Sequence, residues 1–174
     1  MKILITGTKG LAKALDDHLS LNHQVTAVSR SLGYDIKDVS LWHSEFCDYD
    51  VCINCAYDRW GQVEVLENFY HLWKHYPHKQ IINIGSSIVD YSRSERAQEA
   101  EYLPYRVHKI ALQKTFEKIV KQSECDIKLV NLGLFDSGMV SHIEPSQKMS
   151  LEFVAEKIIM IMQDRSFKRV DLWI

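Results

Sequence analysis

The chain has 174 residues, 21 basic against 23 acidic, and a formal net charge of -2 at pH 7. That length suits one domain (residues 1–174) with a real core, and the near-neutral balance offers no field for nucleic acid. No apolar run is long enough to span a bilayer. The opening run to Gly7 is too short for a signal peptide, so it reads as the first strand of a cytoplasmic protein.

Strand and helix patterns alternate along the chain. Residues 2–6 form an apolar run, and a glycine turn follows. Residues 11–21 then repeat Leu11, Leu15 and Leu19 at helical spacing. Residues 24–28 are a second β-branched run. A weak third strand is expected near 34–36 and a short helix at 39–46. Residues 50–56 read as a buried strand, and 63–75 as a helix with Leu66, Phe69, Tyr70 and Trp73 on one face and Pro77 beyond its end. A strand at 79–84 runs into Gly85, Ser86 and Ser87. A charged loop at 91–101, a possible lid, precedes a long helix at 102–122. A strand at 126–132, a helix at 151–162 and a strand at 170–174 complete the chain. Such alternation requires crossover connections, hence a parallel sheet. The expected fold is α/β, a Rossmann-like, doubly wound parallel sheet in three α/β/α layers.

Thr6-Gly7-Thr8-Lys9-Gly10-Leu11-Ala12 joins the first strand to the first helix, the context a dinucleotide site requires. Glycines admit a tight turn and close backbone approach to a pyrophosphate, and the helix N-terminus faces the anion. Ala12 is small enough for close helix–strand packing. The second strand ends in Ser29 and Arg30, with no acid to take a ribose hydroxyl. Arg30 and Lys9 suit a 2′-phosphate, so NADP(H) is favoured over NAD(H).

Tyr105 and Lys109 stand at i and i+4, on one face of the long helix. A nearby ammonium favours the phenolate, so Tyr105 is expected to exchange a proton with a substrate oxygen. A serine at the end of the 79–84 strand, Ser86 or Ser87, is expected to hydrogen-bond that oxygen.

Taken in order, these segments resemble the short-chain dehydrogenase/reductase family over nearly the whole chain, as an unusually short member. Thr6, Gly7 and Gly10 look like the family's cofactor turn, and Asp35 with Ile36 resembles its adenine-contacting pair. Asn54, Cys55 and Ala56 resemble the Asn-Asn-Ala-Gly segment, with Tyr57 in place of the last glycine. Ser86 or Ser87, Tyr105 and Lys109 match the catalytic set. Residues 131–137 resemble the stretch whose backbone and hydroxyl meet the nicotinamide amide, which implicates Leu134 and Ser137. Lys13 stands where the extended branch has a third glycine, and Leu132 replaces proline.

The resemblance implies that Lys109 also binds the nicotinamide ribose, that the substrate is a small carbonyl or alcohol, and that the protein is a homo-oligomer, dimer or tetramer. Little chain lies between Ser137 and the last helix to cover a substrate. This leaves two alternatives: a non-catalytic NADP(H)-binding sensor or structural protein, and a nucleotide-sugar reductase or epimerase. No metal is expected. Cys52 and Cys55 have C-x-x-C spacing, but strand alternation sends them to opposite faces. His71, His75 and His78 lack an obvious completing ligand.

Overall fold

The computed structural model of the protein describes residues 1–90, 99–136, 144 and 147–173. Its strands are β1 (Lys2–Thr6), β2 (Gln24–Val28), β3 (Val51–Asn54), β4 (Gln80–Ser86), β5 (Asp126–Leu132) and β6 (Arg169–Leu172). Helices α1 (Leu11–Leu19), α2 (Gly61–Trp73), α3 (Leu103–Ile119) and α4 (Leu151–Gln163) lie among them. The strands form one sheet in the order β2-β1-β3-β4-β5-β6, every neighbouring pair parallel. This is the doubly wound, three-layer arrangement expected.

The sheet is buried on both faces because successive side chains point to opposite layers. Leu4, Cys52, Ile81 and Leu129 pack with Phe69 and Trp73 of α2 and Leu112 and Phe116 of α3. Their neighbours Ile3, Ile5, Ile53, Ile82 and Val130 pack with Leu15 of α1 and Val154 and Ile158 of α4. Phe69 and Trp73 are almost wholly buried, and each such side chain contributes roughly 2–3 kcal/mol of transfer free energy. Cys52 joins the first core and Cys55 packs against the second, so the two thiols do fall on opposite faces. No helix among the described residues is long and apolar enough to cross a membrane.

Two expected elements differ. Residues 34–36 form no strand. The Asp35 carbonyl accepts the Trp42 indole N–H at 2.9 Å, and the Asp35 carboxylate accepts the Lys37 backbone N–H at 3.0 Å. These local bonds divert the backbone from a ladder, and Ile36 turns inward to the core. Residues 39–46 are not one α-helix but two 3₁₀ turns, Val39–Leu41 and His43–Phe46. The long helix likewise tightens to 3₁₀ geometry over Val120–Gln122. Part of the 91–101 loop, residues 91–98, lies outside the described residues.

β2 and β3 lie on opposite sides of β1. The winding therefore reverses there, and a crevice opens beyond the carboxyl ends of β1 and β3, where ligands bind in open sheets of this kind.

Candidate functional site

The turn after β1 enters that crevice through two glycines in left-handed backbone, Gly7 at φ +106° and Gly10 at φ +53°. A Cβ on Gly7 would stand 3.0 Å from that of Ala12 and 3.6 Å from that of Ala56. The turn thus lies tight between α1 and the end of β3, and the small side chain of Ala12 does what the sequence suggested. Around the Cβ direction of Gly10 there is open space. No side chain caps α1, and no acid stands in its first turn. Its first N–H groups have no capping side chain, and a helix start of this kind is chemically suited to an anion. Thr8 is half-buried and Lys9 exposed, while Leu11 is anchored in the core.

Thr6 ties this turn to β3. Its hydroxyl accepts the backbone N–H groups of Cys55 at 2.9 Å and Ala56 at 3.1 Å. Asn54 is fully buried; its amide donates to the Gln62 carbonyl at 2.7 Å and to Asn83 Oδ1 at 2.9 Å. These contacts tie the end of β3 to the glycine turn, to α2 and to β4.

β4 and α3 bring the reactive side chains together. Ser86 is the last residue of β4, and of the two candidate serines it is Ser86 whose hydroxyl acts on the Tyr105 phenol, favouring its ionised form. Its hydroxyl also accepts the Ile88 N–H at 3.3 Å. Ser87 instead opens the next turn, its carbonyl accepting the Asp90 N–H at 3.0 Å. Lys109 reaches inward and is buried, its Nζ 5.5 Å from the centre of the Tyr105 ring. Pro104 near the start of α3 sets the helix entry in the manner proline favours.

The electrostatics differ from the expectation. Burial pushes the Tyr105 phenol up to about 12, with the Ser86 hydroxyl pulling the other way. Burial brings the Lys109 amine down to about 7. Burial is the largest cause of each shift, and neither residue is among the causes of the other's, so in this state Tyr105 is held as an acid, not as a phenolate.

Gln62 is the residue sequence reasoning missed. Lys109 Nζ donates to Gln62 Oε1 at 2.6 Å and to the Ile84 carbonyl at 2.8 Å. The Gln62 amide in turn donates to the carbonyls of Asn54 at 3.0 Å and Ile84 at 3.1 Å. This buried amide pins the lysine to β3 and β4. Its signal was a polar residue in the stripe with Leu66, Phe69 and Trp73.

Tyr57 covers the pair. Its ring meets that of Tyr105 edge-on at 4.8 Å and lies 5.7 Å from Lys109 Nζ. Its hydroxyl is hydrogen-bonded to His108 Nδ1 at 2.9 Å, and Trp60 meets the His108 ring at 4.5 Å.

The remaining predicted residues surround this centre less closely. Ser29 and Arg30 follow β2, and Arg30 faces Asp58 at 3.5 Å. Asp35 and Ile36 lie in the irregular segment described above. Ile36 serves as core beneath Gly61, where an added Cβ would fall 2.5 Å from its Cγ1. Leu134 is exposed beyond β5, and its carbonyl accepts the Met149 N–H at 3.0 Å. Ser137 lies outside the described residues. A shallow cavity of about 750 Å³ occurs at the opposite, amino-terminal edge of the sheet, beside Lys2, His23 and Asp48, and no predicted site residue lines it.

A parallel sheet with a glycine turn at its switch point defines the class of Rossmann-like α/β folds. Within that class, the fold is the one found in solved short-chain dehydrogenases. The 3α-hydroxysteroid dehydrogenase from a Pseudomonas species, complexed with NADH, matches at TM-score 0.77 and 15% identity, over 99% of this chain and 95% of that one. A short-chain dehydrogenase from Burkholderia cenocepacia in complex with NADP matches at TM-score 0.76 and 15% identity, over 99% and 88%. A UDP-N-acetylglucosamine 4-epimerase from Bacillus cereus matches at TM-score 0.69 and 14% identity, over 99% and 78%. No protein-family model and no curated protein matches the chain.

Proposed function

We propose that the chain is an NADP(H)-dependent oxidoreductase of the short-chain dehydrogenase/reductase type, acting on a small carbonyl or alcohol. The observation that carries this reading is the convergence of Ser86, Tyr105 and Lys109 at the carboxyl edge of the sheet that also carries the glycine turn. The turn suits a dinucleotide because the open space at Gly10 and the uncapped start of α1 would admit a pyrophosphate. Gly7, Thr8, Lys9, Gly10 and Leu11 would hold that pyrophosphate. Ser29 and Arg30 would hold the adenosine end, with Asp35 and Ile36 near the adenine. Leu134 and Ser137 would lie toward the nicotinamide amide.

The cofactor, when bound, supplies or accepts the hydride. Tyr105 donates its phenolic proton to the substrate oxygen, and Ser86 hydrogen-bonds that oxygen as charge develops. A phenol held near 12 keeps its proton at neutrality, so in this state the residues are set for carbonyl reduction. When protonated, Lys109 has three donors. Gln62 and the Ile84 carbonyl take two of them, and the third would serve a ribose hydroxyl.

A second reading, nucleotide binding without turnover, is favoured by one observation: the Tyr57 ring lies over both Tyr105 and Lys109. Reduction of a carbonyl panel by NADPH with wild type and Tyr105→Phe separates the two. Under the first reading the variant binds NADPH like wild type and loses roughly 10²–10⁴-fold in turnover. Binding with no turnover by wild type selects the second reading. Absence of nucleotide binding refutes both.

A further inference from the structure

Asp58, in the loop between β3 and α2, sits between two cations. Its carboxylate lies 3.5 Å from Arg30 Nη1 and 3.1 Å from Lys37 Nζ. Arg30 opens the turn after β2, and Lys37 follows Asp35 and Ile36 in the segment that packs on Gly61. Two connections at the carboxyl edge, β2 to β3 and β3 to α2, therefore meet at one point, an anion held by two basic side chains. The sequence reading chose Arg30 and Lys9 for a 2′-phosphate and gave no part to Lys37 or Asp58.

We infer that Lys37 is a second cation of the 2′-phosphate site, and that Asp58 is an internal competitor occupying both cations until a 2′-phosphate displaces it. The inference rests on the proposed NADP(H) reading. Its chemistry is an exchange of anions. All three side chains keep some solvent exposure, so their ion pairs are individually weak and easily given up. A phosphate monoester carries more charge and three acceptor oxygens, and it can engage a guanidinium in a two-pronged way and an ammonium as a point charge. A 2′-hydroxyl has neither property. In the presence of NADH, Asp58 keeps its partners. Selectivity for the phosphorylated cofactor is thereby set by Arg30 and Lys37 together and moderated by Asp58.

The test is calorimetric titration of wild type, Lys37→Gln and Asp58→Asn with NADPH and NADH. Adenosine 2′,5′-bisphosphate and adenosine 5′-monophosphate serve as probes that lack nicotinamide. Lys37→Gln is expected to weaken NADPH and the bisphosphate about 5- to 20-fold while shifting NADH and the monophosphate less than about 2-fold. Asp58→Asn is expected to tighten the two 2′-phosphorylated ligands several-fold and flatten their salt dependence less than Lys37→Gln does. Selective NADPH binding by wild type that neither substitution alters overturns the inference and leaves the cofactor reading standing. Equal effects of Lys37→Gln on all four ligands also overturn it. Binding of none of the four by wild type overturns both.

Discussion

Burial strips the Lys109 ammonium of its hydration. The acceptors at Gln62 and Ile84 only partly replace it, so the amine falls from its ordinary 10.5 to about 7. This makes the residue a reporter of the folded state. The unfolded chain holds the Lys109 proton up to about pH 10.5, and the folded chain only up to about pH 7. Between those values the unfolded state binds more protons, so stability gained from this group rises with pH. Below the window the contribution is constant, because both states are charged. The slope within the window is at most about 1.4 kcal/mol per pH unit. Urea unfolding of wild type and Lys109→Met, compared from pH 6 to pH 9.5, should show the wild-type advantage growing above pH 7 and level below it. A difference independent of pH would mean that Lys109 keeps an ordinary amine pKa in the fold. Tyr105 and Lys109 were legible from their spacing on one helix face. That Ser86 ends β4 and Ser87 opens the next turn was not, because both follow the same run. Nor was the pairing of Arg30 with Asp58, which are brought together only by the sheet order.

At the scale of elements, the strands buried on both faces were legible as apolar runs, and β1, β2 and β5 have the boundaries the pattern gave. The failures lie where side chains bond to nearby backbone. Asp35 and Trp42 fold residues 34–42 into turns through such bonds, and hydrophobicity alone does not distinguish this from an edge strand. That irregular segment is fixed instead by its packing against the start of α2. Ile36 fits there only because Gly61 has no side chain: a Cβ would lie 2.5 Å from Ile36 Cγ1 and 3.3 Å from the Ile36 carbonyl carbon. Gly61→Ala should therefore destabilise the protein by about 1–3 kcal/mol through overpacking, lowering the urea midpoint with an unchanged slope. Ile36→Val in the same chain removes Cδ1, which would lie 2.7 Å from that Cβ, while keeping Cγ1, and should restore part of the loss. A variant as stable as wild type would show that the segment yields, and that its contact with α2 is not what holds it.

The whole molecule joins both layers at the crevice. α1, from one face, supplies the helix N-terminus, and α3, from the other, supplies Tyr105 and Lys109. Thr6 of β1, Asn54 of β3 and Gln62 of α2 hold the two together. A ligand that spans the crevice therefore binds only when both faces are docked on the sheet, and its binding free energy is added to the stability of the complete fold. At a nucleotide concentration a hundred times Kd, one site contributes about 2.7 kcal/mol. For a chain of this size that corresponds to a rise in Tm of about 5–10 °C. NADPH at saturating concentration should produce such a shift in differential scanning calorimetry. NADH at the same concentration should produce a smaller one, because Arg30 and Lys37 gain nothing from a 2′-hydroxyl. Arg30→Ala should bring the NADPH shift part of the way down to that of NADH, Lys37 keeping the rest, whereas Tyr105→Phe should leave it intact, since a phenol poised for proton transfer contributes little to ground-state binding. Equal shifts with the two nucleotides would refute the assignment of the basic residues after β2 to a phosphate. A shift abolished by Tyr105→Phe would move the binding energy from the glycine turn to α3.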